Sequence, residues 1–202
     1  MILKVLTRTE RMQTTSAVSL LKIEPATGLL VGVRQVLSPH FDARPSGSVP
    51  ELIVVHGISL PPNEFGGPWI DRLFTGNLPV DAHPYFRNLA SGRVSAHVVV
   101  RRNGQVVQYV PFGERAWHAG QSQYRGRVGC NDFSVGIELE GGDDIAYMEP
   151  QYQQLAAVIA ALLAAYPTLS REHIVGHSDV APGRKTDPGP AFEWRKLTAL
   201  LR

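Results

Sequence analysis

The most regular hydrophobic pattern in the chain lies at 134–141, S-V-G-I-E-L-E-G, where apolar positions alternate strictly with others. A period of two puts Val135, Ile137 and Leu139 on one face of a strand and Gly136, Glu138 and Glu140 on the other. At 51–57, E-L-I-V-V-H-G, the apolar run is unbroken and β-branched, which predicts a central strand buried on both faces. Two further β runs, 95–101 and 105–111, flank Asn103-Gly104, the pair that most strongly predicts a tight hairpin. Residues 20–36 alternate loosely about Thr27-Gly28 and predict a hairpin or edge strand. Ile174 and Val175 read as the end of a short buried strand.

The helical period appears three times. Residues 149–166 are apolar around most of the circumference, with Pro150 suited to the first turn, and predict the principal helix, packed on the sheet. Residues 68–74 predict a short helix with Pro68 at its start and Gly76 just past its end. Residues 191–201, carrying Phe192, Trp194, Leu197, Leu200 and Leu201, predict a terminal helix. Loops are expected at 38–50, 61–67, 81–92 and 115–132. The element order implies an α/β (α+β) fold, a central mixed β-sheet flanked by helices.

At 202 residues the chain is expected to form one domain, 18–202, after a poorly ordered extension at 1–17, in which Met12 is an alternative start. Hydrophobic residues make up 44% and charged residues 19%, the balance of an ordinary globular enzyme. A formal charge of +2, evenly spread, argues against nucleic acid as a partner. Residues 1–16 carry Lys4, Arg8 and Arg11 without the apolar stretch of a signal peptide, and the apolar run 155–165 is too short to span a bilayer. The expectation is a soluble, cytoplasmic protein with no membrane or obligatory protein partner. Cys130 is the only cysteine, so no intrachain disulfide forms.

Candidate chemistry gathers at 172–189, E-H-I-V-G-H-S-D-V-A-P-G-R-K-T-D-P-G. Its prolines and glycines at 182, 183, 188 and 189 predict a stiff, non-helical loop presenting imidazole, carboxylate and ammonium groups. His56 and His177 each end an apolar β run before a turn, so each can aim a nitrogen into a cleft. With Asp187 they form a sufficient set for a catalytic zinc ion, leaving a position for water. Structural histidines are the competing reading, and spacing alone leaves both open. Glu138 is the candidate general base. Lys185, two residues before Asp187 in an extended segment, is the candidate partner for an oxyanion.

The bland alternatives differ from residue to residue. His40 and His83 read as solvated loop residues, and His97 as a satisfied buried imidazole or a site residue. Asp179 reads as a brace of the loop. Glu140 reads as an edge salt bridge, although two glutamates about 7 Å apart also suit an inverting glycosidase. H-E-x-x-H is absent, and the His177-x-Asp179 half of an iron site lacks a later histidine. Cys130 reads as a small buried apolar residue.

Several ordered runs carry a resemblance. V-V-H at 54–56, E-F-G-G-P-W-I-D at 64–71, V-S-A-H at 94–97, R-A-W-H-A-G at 115–120, V-G-I-E-L-E-G at 135–141 and G-H-S-D-V-A-P-G-R-K-T-D-P-G at 176–189 resemble the AmpD family. These are zinc amidases acting on 1,6-anhydro-N-acetylmuramyl-L-alanine peptides in peptidoglycan recycling. The resemblance runs from about 28 to the C-terminus and implies a fold shared with peptidoglycan recognition proteins. It implies one zinc ion on His56, His177 and Asp187, with Glu138 and Lys185 as catalytic residues and a small muropeptide as substrate. Trp117, His118, His97, Arg125 and Arg127 are the candidate substrate contacts. A departure is Gly57, where the family often carries asparagine, so a contact by that side chain is not carried over. The alternative function is a non-catalytic muropeptide-binding module of the same fold, and that reading expects a ligand or the glutamate to be missing.

Overall fold

The computed structural model describes residues 21–89 and 92–202. The expected extension at 1–17 and Met12 lie outside them. Among the described residues six strands form one sheet: β1 (Arg34–Gln35), β2 (Leu52–Ile58), β3 (Val98–Val100), β4 (Val106–Gln108), β5 (Ser134–Glu140) and β6 (Ile174–Gly176). Their order is β6-β2-β5-β3-β4-β1. The first four run parallel, β3 and β4 form the antiparallel hairpin around Asn103-Gly104, and β1 joins β4 in parallel. The Asn103 carboxamide oxygen accepts from the Gln105 N–H at 2.9 Å, and Gly104 takes φ +86°, which glycine adopts without strain.

The alternation at 134–141 sorts the two faces. Val135, Ile137 and Leu139, with Ile53, Val55, Val98 and Val100, pack under the principal helix α2 (Glu149–Ala165). Leu155, Val158, Ile159 and Leu162 of α2 are fully buried there, and each such side chain contributes about 1.5–3 kcal/mol. Gln151, wholly buried in the first turn, donates to the carbonyls of Val100 and Glu140 and accepts from the Met148 N–H, tying α2 to two strand ends. On the opposite face, Val99 and Val107 pack against α1 (Trp69–Phe74).

Three expectations shift. The 20–36 region divides: Ile23–Glu24 pairs with Leu29–Leu30 as a hairpin, and Arg34–Gln35 joins the main sheet. The 172–189 segment holds one helical turn, α3 (His177–Val180), which stops before Pro182. The terminal helix, α4 (Trp194–Leu200), starts later than expected because Ala191 donates to the Asp143 carbonyl and Phe192 is buried beside Tyr152.

Candidate metal centre and active-site cleft

Parallel pairing places the first two functional side chains. Glu138 of β5 sits in register with His56 of β2, on the face away from α2, and the two lie side by side with Glu138 Oε1 4.0 Å from His56 Nδ1. His177 directly follows β6, the strand on the other side of β2. All three therefore emerge at the C-terminal ends of parallel strands, where open α/β sheets place their chemistry. Asp187 returns on the loop after α3, held there by the Ser178 N–H, which donates to the Asp187 carbonyl at 3.0 Å.

His56 Nδ1, His177 Nδ1 and Asp187 Oδ2 form a triangle with sides of 3.0, 3.2 and 3.0 Å. Hydrogen alone serves this triangle poorly: one ring proton leaves two acceptors in contact, and two leave two donors facing each other. A tetrahedral zinc ion with donors at about 2.0–2.1 Å sets neighbouring donors about 3.3 Å apart, close to the observed sides. Two of the donors are biased towards metal-binding forms. Burial pushes the His56 imidazole down to about 4. Burial opposes ionisation of Asp187, but hydrogen bonds from His177 and His56 outweigh it and hold the carboxyl below the usual carboxylate range.

Glu138 is buried, and its Oε2 has no hydrogen-bond partner among the described residues. Burial, with the nearby Asp187 charge, raises its pKa well above that of an ordinary glutamate, and Lys185 pulls it back. An unpartnered carboxylate oxygen with raised basicity, facing a cleft, is suited to taking a proton. Lys185 lines the same cleft of ≈ 600 Å³ as His56, Glu138, His177 and Asp187.

The description N-acetylmuramoyl-L-alanine amidase belongs to a family whose model matches residues 46–190. The chain belongs to this family. It is 61% identical over 174 residues to the 1,6-anhydro-N-acetylmuramyl-L-alanine amidase AmpD of Escherichia coli, covering 86% of this chain and 94% of that protein. A crystal structure of a selenomethionine AmpD derivative matches with a TM-score of 0.86 and 57% identity, over 89% of this chain and 99% of that one. The amidase AmiD of E. coli, solved with anhydro-N-acetylmuramic acid-L-Ala-D-γ-Glu-L-Lys, matches with a TM-score of 0.55 and 30% identity, over 78% of this chain and 60% of that one.

In this amidase the other predicted contacts separate. Trp117 lines the cleft, its indole N–H donating to Asp42 Oδ1 at 3.0 Å. His118 also borders the cleft, but both its nitrogens are engaged, one with His56 and one with Ser134. His97 does not line the cleft. It is fully buried, accepts from the Gly136 N–H through Nδ1 and donates to the Glu114 carbonyl through Nε2. Arg125 and Arg127 also lie away from the cleft. Their hairpin carries them towards Leu52, at the opposite end of β2 from His56. There Arg125 meets His173 at 3.0 Å and Arg127 donates to Glu51 at 2.9 Å. Glu140 is no edge residue, because β5 is central. It is buried, paired with Arg101 at 3.2 Å, and accepts from the N–H groups of Gly66 and Arg102. Asp179 braces the loop as expected, accepting from the Gly176 N–H at 2.7 Å.

Sequence reasoning missed residues that hold the candidate ligands in place. The Tyr147 hydroxyl donates to the Pro188 carbonyl at 2.9 Å, next to Asp187. That hydroxyl occupies the space over Gly57, where a Cβ would lie 2.4 Å from it, so a side chain after His56 would require Tyr147 to shift. Asn131 Oδ1 accepts from the N–H groups of both His118 and Ala119. The only sequence signal for these contacts was the glycine at position 57.

Proposed function

We propose that this chain hydrolyses the amide between the lactyl group of 1,6-anhydro-N-acetylmuramic acid and the L-alanine of the stem peptide, in the cytoplasm, as a step of peptidoglycan recycling. One zinc ion, held by His56, His177 and Asp187, would make a water more acidic and polarise the scissile carbonyl. The observation that carries the reading is the convergence of this donor triangle with an unpartnered Glu138 oxygen in one cleft. Glu138 takes the proton from the attacking water and returns it to the departing L-alanine amine. Lys185 stabilises charge developing on the carbonyl oxygen. The names of the relatives and the peptide bound to AmiD support the substrate class. The complete set of ligands and glutamate opposes a binding module without catalysis.

The test follows peptide release from anhydro-N-acetylmuramyl tripeptide by the zinc-loaded protein. Free peptide and anhydro-sugar are expected, with activity lost to a chelator and restored by zinc. Activity that survives chelation, or that survives Glu138→Ala, overturns the mechanism. Intact sacculi assayed alongside are expected to release far less product, and equal release would overturn the choice of substrate.

A further inference from the structure

We propose that His118 is a positioning residue for the ligand His56, forming with Ala119 a two-residue support that orients both imidazoles of the metal centre. The inference rests on the zinc reading above and concerns the nitrogens that face away from the donor triangle. Both histidines point Nδ1 into the triangle, so a neutral imidazole must carry its hydrogen on Nε2. His56 Nε2 lies 2.9 Å from His118 Nδ1, which must therefore be the acceptor. His118 then carries its own hydrogen on Nε2, which lies 3.1 Å from the Ser134 hydroxyl oxygen. One direction of donation runs from His56 through His118 to Ser134. His177 Nε2 lies 3.3 Å from the Ala119 carbonyl, which also accepts from Arg184 at 2.6 Å.

The support is itself fixed. Asn131 Oδ1 receives the N–H groups of His118 at 3.2 Å and Ala119 at 2.8 Å. The His118 ring lies against Gly136, where a Cβ would fall 2.4 Å from its Cγ. Ser134, Gly136 and Glu138 share one face of β5, so the strand that supplies the base also seats the support. A ligand histidine commonly donates to a carboxylate, a carbonyl or water. Here a neutral imidazole takes that place on His56, and His118 is engaged away from the substrate.

The test measures apparent zinc affinity by chelator competition, with the imidazole nitrogens followed by ¹⁵N NMR in the zinc-loaded protein. Loss of an outer partner predicts a roughly 10–100-fold weaker affinity for His118→Ala. His118→Asn, whose Oδ1 can stand in for Nδ1, is expected to recover most of it, and Ser134→Ala to lose less. NMR is expected to show His56 protonated at Nε2. Affinity of a folded His118→Ala within about two-fold of the parent overturns the proposal, as does His56 unprotonated at Nε2. If His118→Ala does not fold, His118→Asn and the parent spectrum decide. A parent that binds no zinc overturns the metal reading itself. A parent that binds zinc and cleaves substrate while the variants match it overturns only the positioning role.

Discussion

Replacing Gly136 by alanine tests the seating of the active site with a single methyl group. The added Cβ would sit 2.4, 2.6 and 2.7 Å from His118 Cγ, Nδ1 and Cδ2, against ordinary carbon contacts of about 3.5–4.0 Å. The ring must retreat by roughly 1 Å along its normal, which skews its 2.9 Å contact with His56 out of the ring plane and weakens it. Overpacking costs about 1–3 kcal/mol, and the weakened hydrogen bond up to about 1 kcal/mol more. Against this, an alanine restricts the unfolded chain and returns about 0.4–1 kcal/mol. The clash wins, and the net loss of about 1–3 kcal/mol corresponds to a Tm lower by roughly 2–12 °C for a chain of this size. Thermal unfolding by circular dichroism in chelator reads this cost without the contribution of bound zinc. The rise in Tm on adding zinc is expected to shrink as well, because the His56 ring is held less firmly. Gly113→Ala is the control, since a Cβ there meets nothing within 4 Å. A Gly136→Ala Tm equal to that of the control would refute the reasoning.

Three further outcomes follow from the same geometry. Glu138→Gln is expected to lower kcat by about 10²–10⁴-fold with zinc content unchanged, and a smaller loss would remove Glu138 as the base. Glu140→Ala is expected to cost about 3 kcal/mol, because Arg101 keeps Asp71 but loses its second buried partner; denaturant unfolding measures it. Asp42 is held down to about 2 mainly by the Arg115 hydrogen bond, with burial opposing it and Trp117 assisting. Its depressed pKa stabilises the fold fully above the unfolded value of about 3.9, and that contribution is lost as pH falls towards 2. The Tm gap between the parent and Asp42→Asn is therefore expected near neutrality and should close in acid, and a gap constant with pH would contradict it.

The periodicity of 134–141 and 51–57 was enough to assign two central strands, and the alternation in the first already put Glu138 opposite the helix-packed face. That works because side-chain direction in a strand is a local property. His56 and His177 were legible as candidates for a related reason: each ends an apolar run before a turn, while Asp187 and Lys185 stood out in the stiff loop that follows, and these runs resemble a known family. What the sequence could not show was distance between strands. Parallel pairing alone set Glu138 beside His56, and the sheet order alone set β6 beside β2. The same limit explains the misplaced residues. Arg125 and Arg127 lie within ten residues of His118, but their hairpin carries them to the other end of β2. His118 borders the cleft and His97 does not, and the nitrogens of both are taken up by His56, Ser134, Gly136 and Glu114. Local sequence marked out the candidate groups, and tertiary packing decided which of them meet, because hydrogen-bond partners tens of residues apart are chosen only when the sheet forms.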